Sequence, residues 1–227
     1  MQLLMRMSSE LYEAIIDSDL PWAHLLHLIP HTDTIFIAGS AATWLAERLL
    51  CDAVPTWTPS DIDVFMCHTS PMFHTLTAAW LARYPKIGVA VSRRINIVDV
   101  SMPSHPNLSF VRCNESLGAA DVTLQFDIDI CTPIVIRRNG AFYIQMTALV
   151  ASCIRDRIMH CIVRQHRFGS MHYPVQKSLS RLRKYQARGY TLMSLTFEST
   201  VSRDFPEFDF ILNPDDFDNL FARNLKI

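Results

Sequence analysis

The tripeptide Asp-Ile-Asp occurs twice in this chain, at 61–63 and at 127–129, each time inside an apolar alternation, SDIDVF and LQFDIDIC. Strand side chains alternate faces, so each repeat predicts an extended segment with two carboxylates on one side and aliphatic neighbours packed on the other. Bringing unpaired acids next to Ile62 and Phe65 costs free energy unless a cation compensates them. Asp61 and Asp63 therefore form a pincer for a divalent ion, and hard ions such as Mg²⁺ commonly bridge carboxylates to substrate phosphates. Asp127, with Asp129 competing on the same face, offers a third carboxylate from a neighbouring strand. Three acids can hold two ions, which would activate an attacking hydroxyl and stabilise an in-line displacement at phosphorus.

A second feature precedes the first acids. TIFIA at 34–38 is a short β-rich run, broken by Gly39 and Ser40 before the helical stretch AATWLAERLL. Gly39 has no Cβ and lets a phosphate approach the backbone, while the following helix presents unpaired N–H groups to an anion. Ser40 adds a hydroxyl donor. Each piece alone is common; their order, strand, Gly-Ser turn, helix, paired acids, is much more specific.

Elsewhere the pattern predicts a helix starting at Ser8 and Ser9 with Leu11, Ile15 and Ile16 on one face, and a second opened by Pro21. Pro71 opens another through Leu81. KIGVAVS and RINIVDV are strand candidates, the segment from Pro103 to Ala120 reads mostly as loop with a short strand or helix inside it, and Asn139-Gly140 marks a hairpin between TPIVIRR and AFYIQ. After Met146 the period becomes helical, through TALVASCIRDRIMHCIVRQHRF and then VQKSLSRLRKYQARGY, stopped by Gly189. The expected fold is α+β: a mixed twisted β-sheet with helices on one side over residues 1–145, then a helical C-terminal region over 146–227. That region closes one wall of the cleft and ends in an acidic aromatic tail, FPEFDFILNPDDFDNLF, suited to a partner.

Lys and Arg number 21 against 22 Asp and Glu, a formal charge of −1, which argues against a surface built to coat nucleic acid. Local basic groups remain: Arg181, Arg183, Lys184 and Arg188 on one helix, and Arg155, Arg157, His160 and Arg164 before it, are candidates to face phosphate. The six cysteines show no zinc-finger spacing and the nine histidines no HxxxH pair beside an acid, so zinc catalysis has little support and reduced thiols are the simplest reading. With no apolar run of membrane-spanning length, the expected setting is soluble and cytoplasmic or nuclear. Trp57 precedes the acids and reads as packing rather than a base platform. Asp99, in INIVDV, is an alternative that could approach the same cleft, but it sits near a strand end before Pro103 and reads as structural.

Through IFIAGSAATWLA, SDIDVF and LQFDIDIC the chain resembles the nucleotidyltransferase fold superfamily, the group of DNA polymerase β, poly(A) polymerases, CCA-adding enzymes and minimal nucleotidyltransferases. The resemblance spans roughly 33–144. More narrowly, SDIDVF, INIV, FDIDIC and RLRKYQARGY look like nucleotidyltransferase-like proteins of large double-stranded DNA viruses, which bring no known substrate and would place the chain in the host cytoplasm or nucleus. The resemblance implies that Gly39 and Ser40 hold the triphosphate of an NTP such as ATP, and that Asp61 and Asp63 bind Mg²⁺ or Mn²⁺. It puts the third ligand at Asp127, with Asp129 as competitor. The implied reaction is nucleotidyl transfer to an acceptor hydroxyl on an RNA end, a protein, a small molecule or a nucleotide, with pyrophosphate leaving. A catalytically silent nucleotide- or partner-binding module of the same fold is the alternative, and a nuclease would not need the Gly-Ser turn.

Overall fold

A computed structural model describes residues 1–9, 34–51, 54–83, 90–93, 96–101, 106–165 and 172–199. The helices expected between 10 and 33 and the acidic aromatic tail lie outside the described residues.

Among the described residues, eight strands form one mixed sheet. β1 (Gln2–Arg6), β2 (Ile35–Ala38), β3 (Asp61–Cys67), β4 (Ala90–Arg93), β5 (Ile97–Ser101), β6 (Asn107–Cys113), β7 (Ile134–Arg138) and β8 (Ala141–Thr147) are ordered β1-β8-β7-β2-β3-β6-β5-β4. Within this sheet only the β3–β6 pairing is parallel; the other six are antiparallel. Asn139 and Gly140, with φ of 50° and 79°, make the tight β7–β8 turn that their sequence signals.

The alternation within β3 splits the sheet's faces. Ile62, Val64 and Met66 join Ile35, Ile37, Val98, Val100, Leu108 and Phe110 on a buried face. Over that face pack helix α1 (Ser40–Leu50), through Ala41, Ala42 and Leu45, and α2 (Ser70–Arg83), through Phe73 and Trp80. The opposite face carries Asp61 and Asp63. Part of it is covered by the short helix α3 (Ala119–Thr123), where Phe36, Ala38, Ala119, Val122, Ile134 and Ile136 close a smaller apolar cluster. Helices α1 and α2 thus pack on the face away from these carboxylates.

The segment expected to be mostly loop with a short strand or helix inside it holds β6, a central strand whose buried face is supplied by Leu108 and Phe110. Two local expectations are corrected. The second Asp-Ile-Asp is not a strand: Ile128 makes an isolated bridge to Cys161, and Asp129–Cys131 is a 3₁₀ turn. There Asp129 takes backbone N–H groups onto its own carboxylate, a local competition with strand pairing to which short acidic side chains are prone.

The long helix expected after Met146 stops early. Helix α4 (Ala148–Arg155) ends at a turn in which Arg157 adopts φ of 52°, and β9 (Ile158–Gln165) follows. Helix α5 (His172–Ala187) ends as expected before Gly189, whose φ is 90°, and β10 (Thr191–Ser199) then pairs parallel to β9. The region after 146 is therefore a strand-helix-strand unit beyond α4.

That unit is tied to the first half by Glu47, fully buried on α1. Its carboxylate pairs with Arg157 and accepts hydrogen bonds from Trp57 Nε1 at 3.0 Å and the Tyr190 hydroxyl at 3.1 Å. Burying a carboxylate is tolerated when it is paired and hydrogen-bonded in this way. Arg188 lies over Trp57, 3.9 Å from the ring centroid, so Trp57 is a packing residue and Arg188 is occupied.

Candidate active site

β2 is buried on both faces, so the chain leaves it in a cramped corner where only glycine fits. Gly39 has φ 73° and ψ −146°, and a Cβ there would lie 3.2 Å from Asp63 Oδ2. Helix α1 starts at the next residue with no side-chain cap and no acid in its first turn, which leaves its leading N–H groups for an anion. Thr43, buried one turn on, donates to Gly39 O at 2.9 Å and to Ile130 O at 2.7 Å, locking the turn against the second Asp-Ile-Asp segment.

The turn abuts the first acid pair directly. Ser40 Oγ donates to Asp61 Oδ1 at 3.0 Å, and the same oxygen accepts from Ser60 Oγ at 2.9 Å and Lys184 Nζ at 3.0 Å. Burial opposes ionisation of Asp61, but the charge and hydrogen bond of Lys184, with Ser60 and Ser40, outweigh it and hold the carboxyl below its usual 3.8. Asp63 goes the other way: burial and then repulsion from Asp61 push it up to about 7, relieved only in part by Arg181 and Lys184 and reinforced by Asp99.

Asp99 belongs to this site, contrary to its reading as structural. Asp63 pairs with Ser109 across β3–β6, and Ser109 pairs with Asp99 across β6–β5, so all three stand in one row on one face. Ser109 Oγ donates to Asp99 at 2.7 Å. No local signal settles Asp99, because its placement depends on the register of β6.

Asp127 reaches the neighbourhood through α5, accepting from Ser178 Oγ at 2.6 Å and Arg181 Nη1 at 2.9 Å. Ser178, Arg181 and Lys184 are three residues apart on one face of α5, so a single helix lays a hydroxyl and two cations along the acids. Of the expected basic set, Arg181 and Lys184 come to the site, Arg183 is exposed and Arg188 is stacked on Trp57. Asp129 is grouped with Cys153 and His160.

No protein-family model matches the sequence, and no curated protein matches it. Solved structures do. A CCA-adding enzyme in complex with CTP superposes with a TM-score of 0.55 at 10% identity, over 85% of this chain and 44% of that one. The Thermotoga maritima CCA-adding enzyme complexed with tRNA gives 0.55 at 12%, over 85% and 43%. A CCA-adding enzyme complex with ATP gives 0.52 at 10%, over 85% and 44%. The chain has the fold of these nucleotidyltransferases and spans less than half of their length.

Chemically, Asp61, Asp63 and Asp99 present carboxylate oxygens, donors that suit a hard divalent cation. Among the described residues no helix is long and apolar enough to cross a membrane.

Proposed function

We propose that this chain is a metal-dependent nucleotidyltransferase. The observation that supports this most directly is the contact between the two halves of the site: Ser40 hydrogen-bonds Asp61, and Asp63 Oδ2 borders the space that a side chain at Gly39 would need. In this reading Asp61 and Asp63 hold Mg²⁺ or Mn²⁺, and Gly39, Ser40 and the first turn of α1 receive the triphosphate of an NTP. The ions, when bound, supply charge stabilisation at the reacting phosphate and lower the pKa of the acceptor hydroxyl.

The chain's own groups orient the rest. Lys184 now pairs with Asp61, and with a cation there it is free to meet phosphate oxygens; Arg181 stays with Asp127 and adds positive charge near Asp63. Asp99 is assigned as the third carboxylate because it shares a row with Asp63. Asp127, which the resemblance puts in that role, then serves to orient Arg181. The acceptor is a hydroxyl on an RNA end, a protein, a small molecule or a nucleotide; the neighbours' complexes with CTP, ATP and tRNA favour RNA.

Purified protein is incubated with Mn²⁺ or Mg²⁺, each labelled NTP in turn, and total RNA and protein. Label transferred to macromolecule with one NTP, and lost in Asp61→Ala, is the expected result; NTP binding with no transfer to any acceptor would instead indicate a silent binding module. Asp99→Asn should abolish transfer, whereas Asp127→Asn should chiefly raise KM for the NTP; the reverse pattern would return the third ligand to Asp127.

A further inference from the structure

A second set of metal-ligating side chains is assembled from three segments that the acid cleft does not use. Asp129 comes from the 3₁₀ turn, Cys153 from α4 and His160 from β9, and one ligand atom of each lies within 4.8 Å of the others. The Asp129 carboxylate is held rigidly: Oδ1 accepts the backbone N–H of Ile130 at 2.8 Å and that of His160 at 2.9 Å. Oδ2 is shut off from solvent, and the side chain that meets this carboxylate from α4 is the Cys153 thiol, a weak donor. A buried carboxylate oxygen served so weakly is costly unless something positive meets it.

We propose that Asp129, Cys153 and His160 bind one divalent transition-metal ion of the Zn²⁺ class. A carboxylate, a thiolate and an imidazole make the mixed O, S and N donor set that borderline ions take, and the sulfur disfavours Mg²⁺. Two anionic ligands balance the dipositive charge, and binding releases the Cys153 thiol proton to solvent. Contraction of the three donors onto metal distances of about 2.0–2.3 Å needs only a small inward movement of each side chain. Ser194 Oγ, 2.7 Å from His160 Nδ1, supplies the outer partner that orients a ligating imidazole.

Asp129 and His160 also line a cavity of about 290 Å³ with Phe126, Thr132, Thr147 and Val150. Three protein ligands leave a fourth position, which the cavity can fill with water or a small anionic ligand. The ion would clamp α4, β9 and the turn that follows Asp127. None of these ligands lies within three residues of another in sequence, so the site has no spacing motif.

The test uses the 227-residue chain, stripped with chelator and titrated with Co²⁺ and then Zn²⁺. The wild type should take up one Co²⁺ with a thiolate-to-cobalt charge-transfer band in the near ultraviolet, bleached by Zn²⁺. The band should persist in Asp61→Ala, since Asp61, Asp63 and Asp99 offer oxygen donors, and vanish in Cys153→Ser. His160→Gln, at a partly exposed position, should weaken Co²⁺ binding about tenfold or more and abolish the rise in Tm that Zn²⁺ gives the wild type. A wild type without the band, or a band that survives Cys153→Ser, overturns the proposal. If Cys153→Ser does not fold, unchanged Co²⁺ affinity in His160→Gln overturns it.

Discussion

Asp63→Asn is expected to stabilise the metal-free protein, and to do so more at high pH than at low. Asp63 titrates near 7 in the fold against 3.8 unfolded. A tenfold difference in proton affinity between the two states corresponds to about 1.4 kcal/mol, so ionised Asp63 costs about 4 kcal/mol at pH 8. Between 3.8 and 7 the folded state binds the extra proton, so stability falls as pH rises through that window. At pH 5 most of the cost is absent and under about 2 kcal/mol remains. Asparagine removes the charge at both pH values, and the gain should differ between them by about 2–3 kcal/mol. For a chain of this size that is a Tm gain larger by roughly 5–10 °C at pH 8 than at pH 5. Thermal unfolding of both proteins in chelator at pH 5 and 8 reads the difference directly. The variant should also lose the stabilisation that Mn²⁺ gives the wild type. Equal gains at the two pH values, or a loss at both, would refute the claim that Asp63 carries an uncompensated buried charge.

Gly39→Ala should destabilise by about 1–3 kcal/mol in chemical denaturation, since its backbone region excludes other residues and the new Cβ meets Asp63 Oδ2; transferase activity should fall further than stability. Glu47→Ala leaves Arg157 partly buried without its partner and removes the acceptor for Trp57 and Tyr190, and should cost about 3–5 kcal/mol, read from the urea midpoint. Lys184→Met should change stability by less than about 1 kcal/mol, because both members of the Lys184–Asp61 pair are partly exposed and solvent screens them. It should nonetheless tighten Mn²⁺ binding without nucleotide, by calorimetry, and raise KM for the NTP. As pH rises toward 7 the wild type's apparent Mn²⁺ affinity should climb by up to about tenfold for each step of one in pH and then level, as the Asp63 proton ceases to compete.

Much of the acid cleft is written in short stretches of chain. Gly39 is required where a buried strand turns into a helix, and Asp61 and Asp63 share a face by strand alternation alone, so both are legible without any partner. The same holds for the Asn139-Gly140 turn and for the stop at Gly189, which depend on the backbone freedom of one or two residues. Asp99 is different: it meets Asp63 only through the register of β6 between them. The second Asp-Ile-Asp has the pattern of the first and a different structure, because Asp129 captures backbone N–H groups from its own turn and from β9.

The break after α4 shows where local pattern loses its hold. TALVASCIRDRIMHCIV keeps a helical apolar period throughout, yet the chain turns at Arg157, whose left-handed backbone is unfavourable by itself. That turn brings the guanidinium to Glu47, 110 residues earlier, and frees the next segment to pair with β10. Sequence alone thus determined the sheet's carboxylate face and the Gly39-Ser40 turn beside it, since both follow from backbone geometry over a few residues. Only tertiary structure decided that Asp99 stands in a row with Asp63, that Lys184 pairs with Asp61, and that Cys153 and His160 gather at Asp129, since burial and pairing across the chain outweigh local preferences of about a kcal/mol.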